Sequence, residues 1–526
     1  MGAKEETAKA DVLGIRGAAT GVLETKRGSG RITVRKKQLE RGETEVKWNG
    51  RRIAQVAHEN LVQGEKPGDP TPRYPKEMAR KWVEKENVDV PVELSRSMVR
   101  CRKGEPVAWK NATLVQGLLG KWTLEYLAVA MGKTNKGHEV LVSDAEKHRF
   151  LPYDGRKNLY GSMYHVREPE TIRMNMSCEE YAECTKKWRE KRPRLSLKLL
   201  KADFMPGSQK PHMMDDLGRT VKEDFCDCVD WEWCKNLLLV QGFGTVNDCE
   251  LQCTTKNALM PARYEEWDSF FVQLTGRRRV LLVDPSQAFD GMYPYPVAHP
   301  YDQGSMVDFD HPDYGQWPKF SRTHGMVCIM EPGDVLYVPR FWFRHVQTLD
   351  EEEVSLEMKV GPGNRTLQEA CFPLAVSRLL ETRLVAAEGL EGARLWLERI
   401  ANGEDMDYVD WKTVPGYKRI QLVQMVRDEV ADVIGKDAVA SFLLDMIDGR
   451  MLPTPWLNQN FREPLYLQDR PYYVDDTRTE WERKYPELFR KRLLQEGYEV
   501  QPTVSTVPIP GYNMPTDADW RTWGLE

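Results

Sequence analysis

The hydrophobic pattern changes character along the chain. Between about 100 and 365 it breaks into short apolar or alternating runs: Cys249-Glu-Leu-Gln-Cys253, Phe270-Phe-Val-Gln-Leu274, Arg279-Val-Leu-Leu-Val283, Met326-Val-Cys-Ile-Met330, Val335-Leu-Tyr-Val338 and Val354-Ser-Leu-Glu-Met-Lys-Val360. Turn formers separate them, notably Thr275-Gly276, Asp284-Pro285 and Glu331-Pro-Gly-Asp334. Many short strands with turns between them predict a β-sandwich or barrel. From 366 the period lengthens to that of a helix. Ile420, Val423, Val426, Val430, Val433 and Ile434 recur at three- and four-residue steps and stop at Gly435. Val439, Phe442, Leu443, Met446 and Ile447 repeat the pattern before Gly449. The expectation is a helical hairpin over 418–450 that covers the barrel or dimerises.

The two ends follow neither pattern. Between 21 and 52 ten basic residues stand against four acidic ones, a local net charge of +6. With Gly28, Gly30 and few apolar positions, this predicts an arm rather than a core, and Lys66-Pro-Gly-Asp-Pro-Thr-Pro72 reads as a linker. The arm is either a solvated tail or a contact for an acidic partner surface, RNA included, with Arg31, Arg35, Lys36 and Lys37 as candidates. The last 76 residues hold nine prolines and twelve aromatics. Such a segment makes no core of its own, yet disordered tails are poor in aromatics. Trp456, Tyr472, Tyr473, Trp520 and Trp523 are therefore expected to be buried on the chain's own barrel or on a partner. The division expected is a basic arm and linker over 1–75, a strand-rich domain over 76–365, a helical subdomain over 366–450 and an extended tail over 451–526.

Composition narrows the class. The chain has 526 residues and a net charge of only -5, from 75 basic and 80 acidic residues, which argues against a surface built as a whole to grip nucleic acid. Hydrophobic residues make up 41%, enough for a large core. No run approaches the length of a membrane span, and the start, MGAKEETAKADV, lacks the apolar core of a secretory signal. A soluble, intracellular protein is expected, cytoplasmic before cilium, mitochondrion or nucleus, with no membrane partner. The ten cysteines lack a repeated CxxC pair and read as reduced structural thiols.

The most specific string is Glu331-Pro-Gly-Asp-Val-Leu-Tyr-Val-Pro-Arg-Phe-Trp-Phe-Arg-His345. A Pro-Gly-Asp turn feeding a strand that ends in Val-Pro and aromatics resembles a cupin-type jelly roll. It closely resembles the JmjC family of iron- and 2-oxoglutarate-dependent oxygenases, and within it the branch of the asparaginyl hydroxylase that inhibits hypoxia-inducible factor. Tyr293-Pro-Tyr-Pro-Val297, Val307-Asp-Phe-Asp310, Pro312-Asp-Tyr314, His148-Arg-Phe-Leu-Pro-Tyr-Asp154 and Trp231-Glu-Trp233 extend the resemblance over about 100–450. It implies an α+β, mainly β fold: a double-stranded β-helix with flanking helices and a C-terminal helical hairpin.

The same resemblance implies a loss of chemistry. The family holds iron with a His-x-Asp/Glu pair and a later His. Here those positions are Arg263, Glu265 and Arg344. Arginine has no lone pair to give and carries a fixed charge, so it repels a cation. His345, adjacent to Arg344, points to the opposite face of a strand. The cosubstrate positions correspond to Met260, Ser269, Arg278 and Lys359, of which Arg278 alone keeps the expected charge. Iron and 2-oxoglutarate are therefore not expected to bind, and no cofactor is expected. Arg263, Glu265 and Arg344 are instead expected to converge as an internal ion cluster. The function implied is that of a catalytically inactive structural or adaptor subunit of a larger protein or ribonucleoprotein assembly. The alternative is an Fe(II)/2-oxoglutarate-dependent hydroxylase with a divergent metal site.

Overall fold

The computed structural model describes residues 22–27, 30–36, 43–48, 51–57, 65–66, 68–87, 96–131, 138–144, 148–154, 157, 171–188, 191–402 and 430–451. The chain divides into two compact units, Met1–Thr71 and Pro72–Glu526.

The first unit corrects the expectation of an arm. Strands β1 (Val22–Arg27), β2 (Gly30–Lys36), β3 (Glu43–Trp48) and β4 (Arg51–Ala57) form an antiparallel meander in sequence order. The reason lies in alternation masked by charge: Ile32 and Val34, then Val46 and Trp48, recur two apart, the period of a strand. Asn49-Gly50 between alternating runs is a strong hairpin signal, and the basic residues hid it.

The second unit carries fourteen further strands: β5 (Ala79–Trp82), β6 (Lys85–Asn87), β7 (Val107–Lys110), β8 (His138–Asp144), β9 (Thr171–Met176), β10 (Lys191–Lys198), β11 (Val246–Thr254), β12 (Leu259–Arg263), β13 (Asp268–Thr275), β14 (Arg278–Val283), β15 (Gly325–Met330), β16 (Val335–Val338), β17 (Phe343–Thr348) and β18 (Glu353–Val360). Nine build one sheet in the order β6-β7-β16-β13-β18-β11-β10-β8-β9, and five build a second, β12-β17-β14-β15-β5. The fold is α+β, mainly β, and fits a cupin jelly roll, as the resemblance implied and within the sandwich or barrel that the turn-bounded runs predicted. Helices α1 (Arg96–Arg102), α2 (Leu124–Met131), α3 (Cys178–Lys187), α4 (Arg219–Cys228) and α5 (Trp231–Gln241) flank the large sheet.

Strand alternation divides the interior into two layers. Phe270, Val272, Leu274, Leu356, Met358 and Val360 pack with Trp122, Leu127, Phe225 and Leu238 of the helical layer. Between the sheets, Phe271, Leu336 and Val338 meet Val280, Leu282, Cys328 and Val346. The turn that carries the chain from β13 in the large sheet to β14 in the small one passes through Gly276, whose φ is +68°. A Cβ there would lie 2.1 Å from the Glu352 carbonyl oxygen, so only glycine fits.

After the sheets come α6 (Phe372–Ala401), α7 (Ala431–Ile434) and α8 (Val439–Ile447). Gly435 and Gly449 have positive φ at the ends of α7 and just past α8. The first arm of the expected hairpin, from Ile420 to Val426, lies outside the described residues, as do Lys37, Trp456, Tyr472, Tyr473, Trp520 and Trp523. Arg31, Arg35 and Lys36 lie on β2, where Arg31 pairs with Lys26, Arg35 with Val22 and Glu45, and Lys36 with Thr44. None of the ten cysteines is in a disulfide, and burial pushes the Cys101, Cys178, Cys234, Cys328 and Cys371 thiols up to about 12. Among the described residues no helix is long and apolar enough to cross a membrane.

Candidate ion cluster in the jelly-roll interior

The interior polar site follows from one strand. Along β18 the apolar residues Val354, Leu356, Met358 and Val360 enter the helical core, so alternation turns Glu353, Ser355, Glu357 and Lys359 the other way, toward the small sheet. β11 contributes Glu250, Gln252 and Thr254 by the same rule, and β13 contributes Ser269, Phe271 and Gln273. The register sets Gln252, Ser355 and Gln273 side by side on three neighbouring strands.

Arg263 and Arg344 face each other across the β12–β17 pair, and Glu265 follows two residues after Arg263. One oxygen, Glu265 Oε1, receives three cations: Arg263 Nη1 at 2.7 Å, Arg344 Nη2 at 3.2 Å and Lys359 Nζ at 3.8 Å. Arg344 Nη2 also reaches Glu357 Oε1 at 2.8 Å. Arg344 and Glu357 are 6% and 3% exposed. Burial works against the charge of Arg344, but Glu357 and Glu265 more than offset it and raise its pKa. For Glu357 burial favours the neutral acid, whereas Arg344, Lys359, Arg263 and Arg278 pull the carboxyl down to about 2. The cluster is thus charged, cross-linked and anchored on three strands, β12, β17 and β18.

Three of the four remaining positions singled out in the sequence border this cluster. Ser269 is fully buried; its Oγ donates to Glu357 Oε1 at 3.3 Å and accepts from Arg344 Nη1 at 3.5 Å. Lys359 is the third cation on Glu265. Arg278 and Arg344 each set a guanidinium 4.8 Å from the Phe271 ring centre, a favourable cation–π arrangement. Met260 packs against the apolar cluster between the sheets instead.

His345 faces away from the cluster. Its ring stacks on Phe309 at 5.3 Å and meets the edge of Tyr74 at 5.8 Å, and burial drives its pKa down to about 3. Among the described residues no group of three His, Cys, Asp or Glu side chains is placed to hold a metal ion.

Glu357 is the residue the sequence reading missed, together with Gln252, Gln273 and Ser355. The signal was present in Glu353-Val-Ser-Leu-Glu-Met-Lys-Val360. Such alternation normally marks a strand with one wet face; here the polar face looks into the barrel.

A family model described as a cupin-like domain matches residues 95–359, a span that contains the whole cluster. The chain belongs to the cupin-like domain family. Among curated relatives of this cupin-like protein, the tRNA wybutosine-synthesizing protein 5 of Danio rerio is 34% identical over 86 residues, covering 16% of this chain and 24% of that protein. The HSPB1-associated protein 1 of Bos taurus is 30% identical over 130 residues, covering 24% of this chain and 25% of that protein. The Homo sapiens counterpart of the latter is 30% identical over 128 residues, with the same shares. The chain spans about a quarter of the length of these relatives.

Proposed function

We propose that this cupin-like protein is a catalytically inactive member of the JmjC oxygenase lineage, nearest the asparaginyl hydroxylase branch. In this reading it serves as a structural or adaptor subunit of an intracellular protein or ribonucleoprotein assembly. The observation that carries the reading is the convergence of Arg263, Arg344 and Lys359 on Glu265 Oε1. In the register of the resemblance, the two guanidiniums stand where a metal would need imidazoles.

The donor set does not fit iron. Two of three ligand positions offer only N–H donors, and the third, Glu265, is engaged by cations whose charge opposes that of an incoming Fe(II). The expected cosubstrate site fits no better, because Met260 is turned into the apolar cluster and Lys359 is held toward Glu265. The ion cluster takes over the cross-linking that a metal would have provided between strands.

Partner contact then belongs to the first unit and to residues 451–526. The +6 balance between 21 and 52 suits an acidic surface or RNA, and the aromatics of the tail suit a protein surface. The name of one relative, HSPB1-associated protein 1, speaks of protein association; that of the other, tRNA wybutosine-synthesizing protein 5, speaks of synthesis, which favours the second reading, a hydroxylase with a divergent metal site.

Turnover of 2-oxoglutarate to succinate by the purified full-length chain, measured with Fe(II) and ascorbate and paired with native co-purification from the source cell, tests the proposal. Absence of turnover with recovery of a stoichiometric assembly is expected. Turnover abolished by Glu265→Ala would replace the adaptor with the hydroxylase.

A further inference from the structure

The meander of the first unit separates its residues by face. Residues paired across antiparallel strands share a face, and successive residues along a strand alternate between faces. The register therefore sets Lys26 and Arg31, directly opposite each other on β1 and β2, on one face with Arg35. Lys47 of β3 pairs with Thr33 and so joins that face, and Arg52 of β4 pairs with Lys47. The other face holds the positions of Leu23, Ile32, Val34, Val46, Trp48 and Val56. A register shift between Val46 and Lys47 matters here, because Val46 pairs with Ala54 and Lys47 with Arg52. Without the extra residue, Arg52 would share the apolar face with Ala54.

The basic face is built for a chain of anions. Like charges directly opposite each other weaken a sheet, yet two such pairs occur, Lys26 with Arg31 and Lys47 with Arg52. The acidic positions do not offset them. Glu24 lies opposite Thr33, Glu43 opposite Ala57, and Glu45 opposite Arg35 and Gln55. Four cations remain, one on each strand, and strands about 4.8 Å apart spread them over about 14 Å. That span exceeds a single carboxylate or phosphate group. No aromatic position falls on this face among the described residues, since Trp48 belongs to the other one. Stacking of bases is thus not offered, and neither are the aromatic anchors that centre a protein interface. Contact with phosphates positions a nucleic acid without reading its sequence.

We infer that the basic face of the meander is a contact for the RNA backbone, neutralising phosphates through Lys26, Arg31, Lys47 and Arg52 whatever the base sequence. The inference rests on the ribonucleoprotein form of the reading above and commits it to one face of one sheet.

The test is fluorescence anisotropy on the full-length chain with two labelled single-stranded RNA oligonucleotides of equal length and unrelated sequence, across a salt series. Two double variants of equal net charge are compared with the parent. Lys26→Gln with Arg52→Gln removes one member of each like-charged pair, so the sheet is relieved rather than weakened. Arg27→Gln with Arg51→Gln changes the adjacent residues, which the register sets on the apolar face opposite Gly30 and Trp48. Both oligonucleotides are expected to bind the parent alike, with a log–log slope of about -2.8 for four phosphates. The first variant is expected to flatten the slope by about 1.4, and the second to keep that of the parent. Equal flattening by both variants, no change in either, or a more than tenfold preference for one sequence overturns the face and leaves the ribonucleoprotein reading standing. Absence of RNA binding at low salt overturns both. Labelled polyglutamate bound by the parent in its place, and lost in the first variant, gives the face to an acidic protein.

Discussion

Arg344 and Glu357 form a buried ion pair, Nη2 to Oε1 at 2.8 Å, on strands of opposite sheets. A pair of this kind ties the two walls of the jelly roll together at the depth where the resemblance would place a metal. Buried pairs add little net stability over apolar residues of the same size, but breaking one side leaves an uncompensated charge. That asymmetry makes the cluster testable by substitution.

Glu265→Ala removes the oxygen shared by Arg263, Arg344 and Lys359 and is expected to cost about 3–5 kcal/mol. The double change Arg344→Met with Glu357→Met is expected to cost less than either single change. Urea unfolding of the four proteins measures the coupling; a Glu265→Ala protein that unfolds like the parent would remove the cluster from the account.

The pH dependence has a definite sign. The Glu357 carboxyl is held at about 2 in the folded chain against an ordinary value of 4.5. Its contribution is therefore fully present above 4.5 and is lost as pH falls toward 2, because the unfolded chain binds the proton first. Melting temperature followed from neutral pH downward should fall in this window, and the Glu357→Gln protein should show a shallower fall. An unchanged slope would mean that other carboxylates govern acid unfolding.

A second buried pair fastens the C-terminal helices. Arg450 and Glu381 are each 1% exposed and lie 2.8 Å apart; Arg450 also donates to the Pro294 and Met446 carbonyls. Arg450→Ala is expected to cost about 3–5 kcal/mol and to raise amide exchange in α8 before it does so in β13. Uniform destabilisation of both would contradict a local fastening role.

If the first unit contacts RNA, affinity for a single-stranded oligonucleotide should fall steeply with salt, with a log–log slope of about -0.7 per phosphate contact. Replacing Arg31 and Arg35 by Glu should flatten the slope by at least about 1.4. Fluorescence anisotropy across a salt series reads it directly, and an unchanged slope would move the contact elsewhere.

The fold was legible where local chemistry and global position agree. Glu331-Pro-Gly-Asp334 announced its turn, and the apolar runs of β13, β14 and β15 announced strands packed on both faces. β12 was not read, because Pro261 within Leu259–Arg263 suits an edge strand and no other. β17 was read as a strand through the resemblance alone and not from its pattern, because Arg344, His345 and Gln347 look like surface residues, yet all are buried. Convergence of Arg263, Glu265 and Arg344 was expected from the resemblance. Glu357 was not, since no local pattern tells whether the polar face of an alternating strand meets water or the inside of a barrel. Charge density also hid the meander of the first unit.

The central claim is that the interior no longer takes a metal. Anaerobic titration of the metal-free full-length chain with Fe(II) and 2-oxoglutarate, followed by removal of unbound metal and elemental analysis, addresses it most directly. The account predicts iron at background level and an unchanged melting temperature. One iron per chain, retained in the parent and lost in Glu265→Ala, would contradict it.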